Sequence, residues 1–365
     1  MNYKETLFFI AKSLTISLDE KNRAEIELIL KKTNVDWDAV VKVSTSHYVF
    51  PALYCNLKRV DFLKYLPVEL VSYMQNITDL NREKNKQIIA QANELNKDLL
   101  ANNIRPIFLK GTGNLLAGIY EDIGERMVGD IDFIFSKEDY PKAITVLKES
   151  GYSEVEIKEY YPPDEKKHYR RLKKENHIAA IEIHSELLDI KKYSSEFSYG
   201  FVEKDSQSIN NIVVLSYANK LNLSIIANQI NDNGFNFKTI ALRNAYDVFL
   251  LSKKTNSIDA VNSLNKLSHP LNCFLAACYE IFNKVESIEY NKNVKTTKYL
   301  RSFNYRLTKP IREQSKCNKI YMFIKRGLYV LIKATIYKEY RVFLFKSLTD
   351  KNWWKEKRIQ LGFKK

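Results

Sequence analysis

The stretch that decides the fold covers residues 105–135 and reads RPIFLKGTGNLLAGIYEDIGERMVGDIDFIF. Its first apolar run, residues 106–109, has the length and composition of a buried strand. A Lys-Gly-Thr-Gly segment follows and predicts a tight turn, residues 114–120 have helical character, and residues 129–135 form a second apolar run with two aspartates. This order predicts two strands of a small sheet joined by a turn, a helix and a loop.

The two aspartates, Asp130 and Asp132, are spaced for one face of a strand. Successive side chains of a strand point to opposite faces, so both carboxylates share a face while Ile131 and Phe133 lie on the other. Two charges on an otherwise buried strand are costly unless a cation or donor offsets them. One or two carboxylates together with substrate phosphates commonly hold Mg²⁺. A solvated surface loop is the alternative, and the flanking apolar residues favour the metal site.

A third carboxylate occurs in the run AAIEIH. Glu182 is isolated there among apolar residues, and the alternation of a strand places His184 on the same face. An edge strand with one wet face would explain this pattern. The presence of Asp130 and Asp132 favours the other explanation, in which Glu182 is a third metal ligand or a general base.

The KGTG segment at residues 110–113 predicts a phosphate site. Glycine lets the backbone approach a phosphate, and a helix that begins there offers free N–H groups. The segment is not a P-loop, because G-x-x-x-x-G-K is absent, and Leu116 replaces the third glycine of a dinucleotide fingerprint. Lys110 and Arg126 are the nearest cations in sequence that could balance a triphosphate. Solvated loop charge is the alternative for both.

The regions on either side of this core are predicted to be helical, because apolar side chains recur at steps of three and four. Further strands are predicted at residues 154–160, 167–172 and 178–184, with 173–176 as the turn of a hairpin. The predicted fold class is therefore α+β and predominantly helical, with a small mixed β-sheet core. The predicted regions are an N-terminal helical region (1–103), an α/β core (104–210), a second helical region (211–290) and a basic helical tail (291–365).

Two of the predicted helices have distinctive faces. The helix over residues 67–103 is polar on one side, which includes Asn81 and Lys84, and this side is expected to face water. Residues 319–346 are helical in period, with an apolar stripe that includes Ile324, Leu328 and Leu331. We expect one continuous helix there.

Composition and cysteine usage exclude several protein classes. The 365 residues suffice for about two or three compact units. The four cysteines contain no Cys-x-x-Cys pair, which argues against a disulfide framework or a zinc site and indicates reduced thiols. No run approaches the roughly 18 apolar residues of a spanning helix, and the first residues lack the features of a signal peptide. The expected location is cytoplasmic.

The formal net charge of +15 is concentrated in the tail. Residues 291–365 contain 21 Lys or Arg and four acids. A basic, aromatic-rich helix of this kind could bind a nucleic-acid backbone or lie on an anionic membrane surface. It could also simply pack its apolar stripe with its lysines in water.

Taken in order, these residues resemble nucleotidyltransferases of the DNA polymerase β-like superfamily. Those proteins carry a Gly-Ser/Thr turn at a helix start, Asp-x-Asp on the next strand, and a third acid on a later strand. A closer resemblance is to the uncharacterised bacterial nucleotidyltransferase family NTP_transf_5, over about residues 40–250. The matching residues are Leu109-Lys110-Gly111, Tyr120, Arg126, Asp130-Ile131-Asp132, Gly151-Tyr152, Ile181-Glu182-Ile183-His184 and Arg243-x-x-Tyr246-Asp247.

The resemblance implies a nucleotidyltransferase-like core and a reaction. A nucleoside monophosphate would pass from a nucleoside triphosphate to a hydroxyl acceptor of unknown identity, with release of pyrophosphate. Asp130 and Asp132 would bind two Mg²⁺ ions, with Mn²⁺ as the alternative metal. Glu182 would complete the second metal site or assist deprotonation of the hydroxyl.

The same resemblance implies the nucleotide-binding residues. Gly111 and Thr112 would cradle the β- and γ-phosphates, and Lys110 and Arg126 would neutralise their charge. Thr112 stands where many superfamily members have serine, which keeps the hydroxyl, and the basic tail has no counterpart in the pattern. The alternative function is a catalytically silent nucleotide-binding or partner-binding module. The complete set of three acids favours the enzyme.

Overall fold

The computed structural model describes residues 1–32, 34–155, 169–188, 193–309 and 311–361, and only the backbone of residues 311–315. The described residues form two compact units. The larger unit draws on Met1–Val155 and Lys167–Asn304, and the smaller unit begins at Tyr305. The fold is α+β and predominantly helical, as predicted. The described residues of the first three predicted regions lie within the larger unit, and the boundaries between these regions stay predictions.

The described N-terminal region consists mainly of helices. The first one starts with a capping box, in which the Asn2 side chain accepts a hydrogen bond from the Glu5 backbone at 3.0 Å and the Glu5 carboxylate accepts one from the Asn2 backbone at 2.9 Å. The α-helices of this region are α1 (Tyr3–Ser13), α2 (Glu20–Lys32), α3 (Trp37–Ser46), α4 (Phe50–Arg59) and α5 (Val68–Ala101).

One mixed sheet of seven strands is formed by the described residues that follow. The strands are β1 (Ile107–Phe108), β2 (Asp130–Ile134), β3 (Ser153–Glu154), β4 (Leu172–Lys173), β5 (Ala180–His184), β6 (Gln207–Ile209) and β7 (Ile212–Val214), in the spatial order β3-β4-β5-β2-β1-β7-β6. The predicted strands at 106–109, 129–135 and 178–184 are confirmed, and so is the hairpin of β4 and β5. The predicted strands at 154–160 and 167–172 fall partly on residues 156–168, which lie outside the described residues.

The pairing of β2 with β5 positions the acids. The two strands are parallel, and Asp132 pairs with Glu182 in the register. On the opposite face, Ile131, Phe133 and Ile181 are fully buried. If one of the two strands slipped by one residue relative to the other, its apolar side chains would move to the face that carries the acids. Burial of the apolar face therefore fixes the register that brings the acids together.

The helix after β1 begins earlier than predicted. Residues 110–113 are not a separate tight turn but the first turn of α6 (Lys110–Leu116). The Gly113 backbone donates a hydrogen bond to the Leu109 carbonyl at 2.8 Å, so the helix starts directly at the end of the strand. Gly113 permits this, because a Cβ there would lie 2.6 Å from the Phe108 carbonyl oxygen.

Replacement of Gly113 by alanine should therefore destabilise the protein. The added Cβ would collide with the backbone of β1, which cannot move aside as a flexible side chain could. We expect a loss of about 2 kcal/mol in the free energy of unfolding, measured by chemical denaturation. Gly200 in α8 (Tyr199–Glu203) is the matched control, because a Cβ there meets nothing within 4 Å. Gly200→Ala should stabilise by about 0.5 kcal/mol, and an equal loss in both variants would contradict the packing argument.

The polar side of α5 supports the loop before β2. Asn81 is only 6% exposed and donates hydrogen bonds to the carbonyl oxygens of Gly124 at 2.8 Å and Arg126 at 3.1 Å. Asn85 donates to Ile123 at 2.6 Å and to Arg126 at 2.7 Å. The prediction that Asn81 faces water was wrong, because its amide satisfies buried carbonyls of this loop.

Helices complete the larger unit. They are α7 (Asp139–Glu149), α8, α9 (Tyr217–Ile226), α10 (Gly234–Phe237), α11 (Leu242–Ser252), α12 (Ser257–Asn262), α13 (Ser268–Ile281) and α14 (Val294–Leu307), whose last residues belong to the smaller unit. α9 continues into a π-helical turn, Ala227–Asn231, and π-turns are frequent at functional sites. The Asn244 side chain of α11 donates to the Ser224 carbonyl of α9 at 2.8 Å, which fixes the two helices together.

The smaller unit contains α15 (Ile311–Ile336), α16 (Lys338–Thr349) and α17 (Lys351–Gln360). The prediction of one continuous helix over residues 319–346 was wrong, because Tyr337 is extended and separates α15 from α16. This break lets Tyr340 pack on Val330 and Ala334 as a small core. Among the described helices, none has the length and apolar content needed to cross a membrane.

Candidate active site

The three predicted acids meet in one cavity of the larger unit. β2 carries Asp130 and Asp132, and β5 carries Glu182; their side chains are 29%, 8% and 12% exposed. All three line a cavity of about 180 Å³, together with Lys110 and Gly111 of α6. The parallel pairing of β2 with β5 thus brings together the residues that the sequence separates by some fifty positions.

Lys110 and His184 hold the most buried of the acids. The Lys110 ammonium lies 2.5 Å from Oδ1 of Asp132, and Nε2 of His184 lies 2.8 Å from the same oxygen. Burial alone would raise the pKa of Asp132, but Lys110 and His184 outweigh it and keep that pKa well below its usual range. Burial lowers the pKa of His184, so the imidazole is neutral near pH 7. Asp132 is therefore an ionised carboxylate that is largely shielded from solvent.

Arg171, which the sequence analysis missed, bridges the other two acids. Its Nη2 lies 3.1 Å from Oδ2 of Asp130 and 2.7 Å from Oε1 of Glu182. Burial raises the pKa of Asp130, as do the neighbouring carboxylates, and Arg171 opposes that rise. Arg171 precedes β4 directly, and the hairpin of β4 and β5 carries it to Glu182. The sequence signal was weak, because Arg171 is one of several cations in the run YRRLKK.

The donor set could hold a divalent metal ion. Asp132, Glu182 and His184 each present one ligand atom, and these atoms all lie within 4.8 Å of one another. Asp130 is linked to this group by Arg171, whose guanidinium contacts both Asp130 and Glu182. Carboxylate oxygens are the ligands that Mg²⁺ and Mn²⁺ prefer. The Lys110 ammonium, 3.6 Å from Oε2 of Glu182 and 3.3 Å from Nε2 of His184, already places one positive charge among these donors.

A second part of the cavity lining carries two cations to which the sequence analysis gave no role at the site, although Arg243 occurs in the matched Arg243-x-x-Tyr246-Asp247 pattern. Lys220 of α9 is 3% exposed, and its ammonium donates to the Leu215 carbonyl oxygen. Within the described ranges, no carboxylate pairs with it. Burial lowers the pKa of Lys220 to about 8. The signal in the sequence is a single charged residue in the helix YANKLNLSII.

Arg243 of α11 is the other cation. Its guanidinium carbon lies 5.0 Å from the centroid of the Tyr48 ring, and its buried Nε has no hydrogen-bond partner among the residues that the structure describes. Burial lowers the pKa of Arg243 and the nearby Arg126 lowers it further, whereas Asp247 and Asp232 oppose this fall. Lys220 and Arg243 thus line one cavity without a direct ion pair to any described acid, and this partly unbalanced charge favours binding of an anion.

Arg126 also lines the cavity but is already paired. Its Nη2 lies 2.9 Å from Oδ2 of Asp247, and its Nη1 donates to the Met127 carbonyl at 2.9 Å. The Tyr120 hydroxyl donates to Oδ1 of Asp247 at 2.7 Å. This fully buried network fastens α11 to the loop before β2.

The two residues predicted to cradle phosphates differ in their access to the cavity. Gly111 lines it. Thr112 is fully buried, and its hydroxyl donates to the Asp130 carbonyl at 2.9 Å. The Thr112 hydroxyl therefore fixes the backbone that carries the first aspartate.

Removal of the charge of Asp247 should destabilise the fold. Asp247→Asn leaves the Arg126 guanidinium buried without a counter-charge, while the side chain keeps its size. We expect the free energy of unfolding to fall by about 3 kcal/mol in chemical denaturation. Glu138→Gln is the control, because Glu138 pairs with Lys142 at the surface and its loss should cost no more than about 0.5 kcal/mol. A similar small change in both variants would show that the buried pair contributes nothing.

Comparison with known proteins agrees with this geometry. Residues 33–283 match the family NTP_transf_5, described as an uncharacterised nucleotidyltransferase. No curated protein and no solved structure matches the chain. The family match covers more than half of the chain and includes the three acids, Lys220 and Arg243, whereas the described part of the smaller unit, from Tyr305 onwards, lies outside it. The chain therefore belongs to the uncharacterised nucleotidyltransferase family.

Proposed function

We propose that this protein is a Mg²⁺-dependent nucleotidyltransferase. It transfers a nucleoside monophosphate from a nucleoside triphosphate to a hydroxyl acceptor and releases pyrophosphate. One observation carries the proposal: a single cavity combines three carboxylates on adjacent strands with two cations that make no direct ion pair with a described acid. The carboxylates suit a metal ion, and the cations suit the phosphates that such an ion accompanies.

Asp130, Asp132 and Glu182 would hold the metal. Their oxygens, with His184 beside them, provide the hard donor set that Mg²⁺ requires. When bound, such an ion supplies charge neutralisation at the phosphates and lowers the pKa of the acceptor hydroxyl. The residues themselves fix the donor geometry, because β2 and β5 are central strands whose other face is buried.

Lys220 and Arg243 would bind the triphosphate. A triphosphate carries several negative charges, and the buried Lys220 and the half-buried Arg243, which make no direct ion pair with a described acid, provide complementary charge in this cavity. Arginine adds a planar set of donors that matches phosphate oxygens. An anion beside Lys220 would also raise its pKa and keep it protonated.

Lys110 and Arg171 form ion pairs with the carboxylates of the site. When a metal binds these carboxylates, the two cations would give up part of these contacts and contact phosphate oxygens instead. Lys110 thereby keeps the nucleotide-binding role that the sequence analysis assigned to it. Arg126 enters the proposal differently: its charge is balanced by Asp247, so it supports the cavity, and Arg243 takes the phosphate. Gly111 lets the backbone approach the nucleotide.

The chemical step is an in-line displacement. The acceptor oxygen forms a bond to the α-phosphorus while the bond from that phosphorus to the bridging oxygen of pyrophosphate breaks. The hydroxyl proton passes to a carboxylate of the site, and we assign this role to Glu182. Lys220 and Arg243 would stabilise the charge that accumulates on the departing pyrophosphate.

One observation favours the alternative of a catalytically silent binding module. Lys110 and Arg171 already neutralise much of the charge of the three acids, as two cationic side chains could do in a site that no longer takes a metal. Such a module would bind the nucleotide through Lys220 and Arg243 without turnover.

The deciding experiment uses full-length protein. It is incubated with each of four labelled nucleoside triphosphates, Mg²⁺ and a cell extract, and labelled acceptor and released pyrophosphate are measured with and without a chelator. Metal-dependent labelling with stoichiometric pyrophosphate supports the enzyme. Triphosphate binding in calorimetry without pyrophosphate release, across nucleotides and acceptor fractions, would instead establish the silent module.

A further inference from the structure

α15 of the smaller unit carries apolar residues on a buried face and on a second, exposed face. One face packs inside the unit, where Val330 and Ala334 are 4% and 8% exposed. On the second face Ile324, Leu328 and Leu331 recur at helical spacing and are 54%, 56% and 51% exposed. One apolar face is enough to pack the helix into its core, so folding of the unit does not explain the second apolar face.

The exposed apolar surface extends over the rest of the unit. In α16, Val342, Phe345 and Leu348 are 44%, 70% and 51% exposed, and in α17 Trp354 is 42% exposed. Of the 24 large apolar side chains that are exposed in the described residues, 14 lie from Tyr305 onwards, although this unit is much the smaller of the two. Such concentration marks an interaction surface rather than ordinary scatter.

Cations accompany these apolar residues. Residues 316–361 contain twelve Lys or Arg and three acids. Lys338 and Lys346 lie on α16 with Phe345, and Lys355 lies on α17 beside Trp354. Each of these three lysines is exposed and makes no ion pair with any described residue. The surface is therefore both apolar and strongly positive.

We propose that the smaller unit docks on an anionic lipid bilayer. Its apolar side chains would enter the boundary between headgroups and acyl chains, while its lysines would bind the anionic headgroups. A nucleic-acid backbone would satisfy the lysines but leave the exposed isoleucines and leucines in water, because nucleic acids bind through charge and aromatic stacking. A second copy of the chain would bring a second strongly positive surface against the first. The bilayer complements both properties.

A cavity inside the same unit supports a lipid partner. It has a volume of about 260 Å³, and its lining includes Phe343, Leu344, Lys319 and Lys357 but no acid. Ser347, which also lines it, is 2% exposed, and its hydroxyl has no hydrogen-bond partner among the described residues. The apolar side chains of the cavity suit an acyl chain, and its lysines and the Ser347 hydroxyl suit the anionic headgroup of the same lipid. It offers nothing specific to a nucleic acid.

The test is sedimentation of full-length protein with vesicles. Vesicles that mix phosphatidylglycerol with phosphatidylcholine should bind the protein, and vesicles of phosphatidylcholine alone should bind it at least about tenfold more weakly. The apolar variant Ile324→Ser/Leu328→Ser/Leu331→Ser should lose at least about tenfold in binding. The charge variant Lys338→Glu/Lys346→Glu/Lys355→Glu should lose roughly a hundredfold.

The matched control is Leu28→Ser/Val68→Ser/Leu80→Ser, which removes three side chains of similar exposure from the larger unit. It should bind vesicles as the unaltered protein does, and thermal melting of each variant verifies that it is folded. The proposal is overturned if the apolar variant binds vesicles normally. It is also overturned if RNA or DNA binds the smaller unit more tightly than vesicles and the apolar variant keeps that binding, or if the variant only dissociates a dimer in sedimentation analysis.

Discussion

Asp132→Asn is expected to lower nucleotidyl transfer by at least about a thousandfold, which corresponds to about 4 kcal/mol of transition-state stabilisation. Asp132 is the acid at the centre of the site: it lies next to Lys110 and His184, and it pairs with Glu182 in the sheet register. Asparagine keeps the shape of the side chain but removes the negative charge that would hold a cation. The measurement is the rate of pyrophosphate release at saturating triphosphate and Mg²⁺.

The control for this variant is Asp205→Asn, in the exposed segment between α8 and β6. It makes the same chemical change outside the site and should keep full activity. Asp132 has a depressed pKa in the folded protein, so its charge contributes stability above the pKa of the unfolded state, and that contribution is lost as pH falls. Asp132→Asn should therefore melt somewhat lower near pH 7. Equal transfer rates in Asp132→Asn and the unaltered protein would remove Asp132 from the catalytic machinery.

The central part of the site could be predicted because it depends on strand alternation. Two aspartates at i and i+2 in an apolar run must share a face if the run is a strand, and the same argument applies to Glu182 and His184. The pairing of β2 with β5 was not accessible in this way. It is a contact between segments some fifty residues apart, and burial of the apolar face fixes it only once both strands are in one sheet.

The cationic part of the site could not be predicted because it depends on how helices pack. Lys220 is notable as a charged side chain only because most of the residues of α9 are buried, which depends on tertiary packing. Arg243 makes no direct ion pair with an acid because Asp247, one turn along α11, forms its ion pair with Arg126. Sequence proximity had instead favoured Arg126 as a cation for the triphosphate. Likewise, α6 begins at Lys110 because Gly113 can approach the backbone of β1 closely. This is a tertiary contact, and local turn preferences cannot predict it.

The double variant Lys220→Met/Arg243→Gln should reduce kcat/KM for the triphosphate by about a thousandfold. Each cation removed from a water-poor phosphate site costs about ten- to a hundredfold or more, and both act on the same ligand. Much of the effect should be a higher KM, because the phosphates are bound before the reaction as well as during it. Steady-state kinetics with labelled triphosphate would measure the separation of KM from kcat.

Stability distinguishes this binding role from a structural one. A buried cation without an acidic partner opposes folding, so the ligand-free double variant should be as stable as the unaltered protein, or about 1 kcal/mol more stable. The pKa of Lys220, about 8 instead of 10.5, means that the unfolded chain binds this proton more tightly. The unaltered protein should therefore gain stability as pH rises from about 8 to 10.5, and Lys220→Met should lose that gain.

The control for the double variant is Lys254→Met/Arg301→Gln, which makes the same two changes at exposed positions and should alter neither KM nor stability. Arg243→Lys should restore part of the affinity that Arg243→Gln loses, because the charge returns without the planar donor set. If the double variant instead unfolds several kcal/mol more easily while its KM stays unchanged, Lys220 and Arg243 support the fold and the triphosphate binds elsewhere. An unchanged KM in a fully stable variant would also place the phosphates outside this part of the cavity.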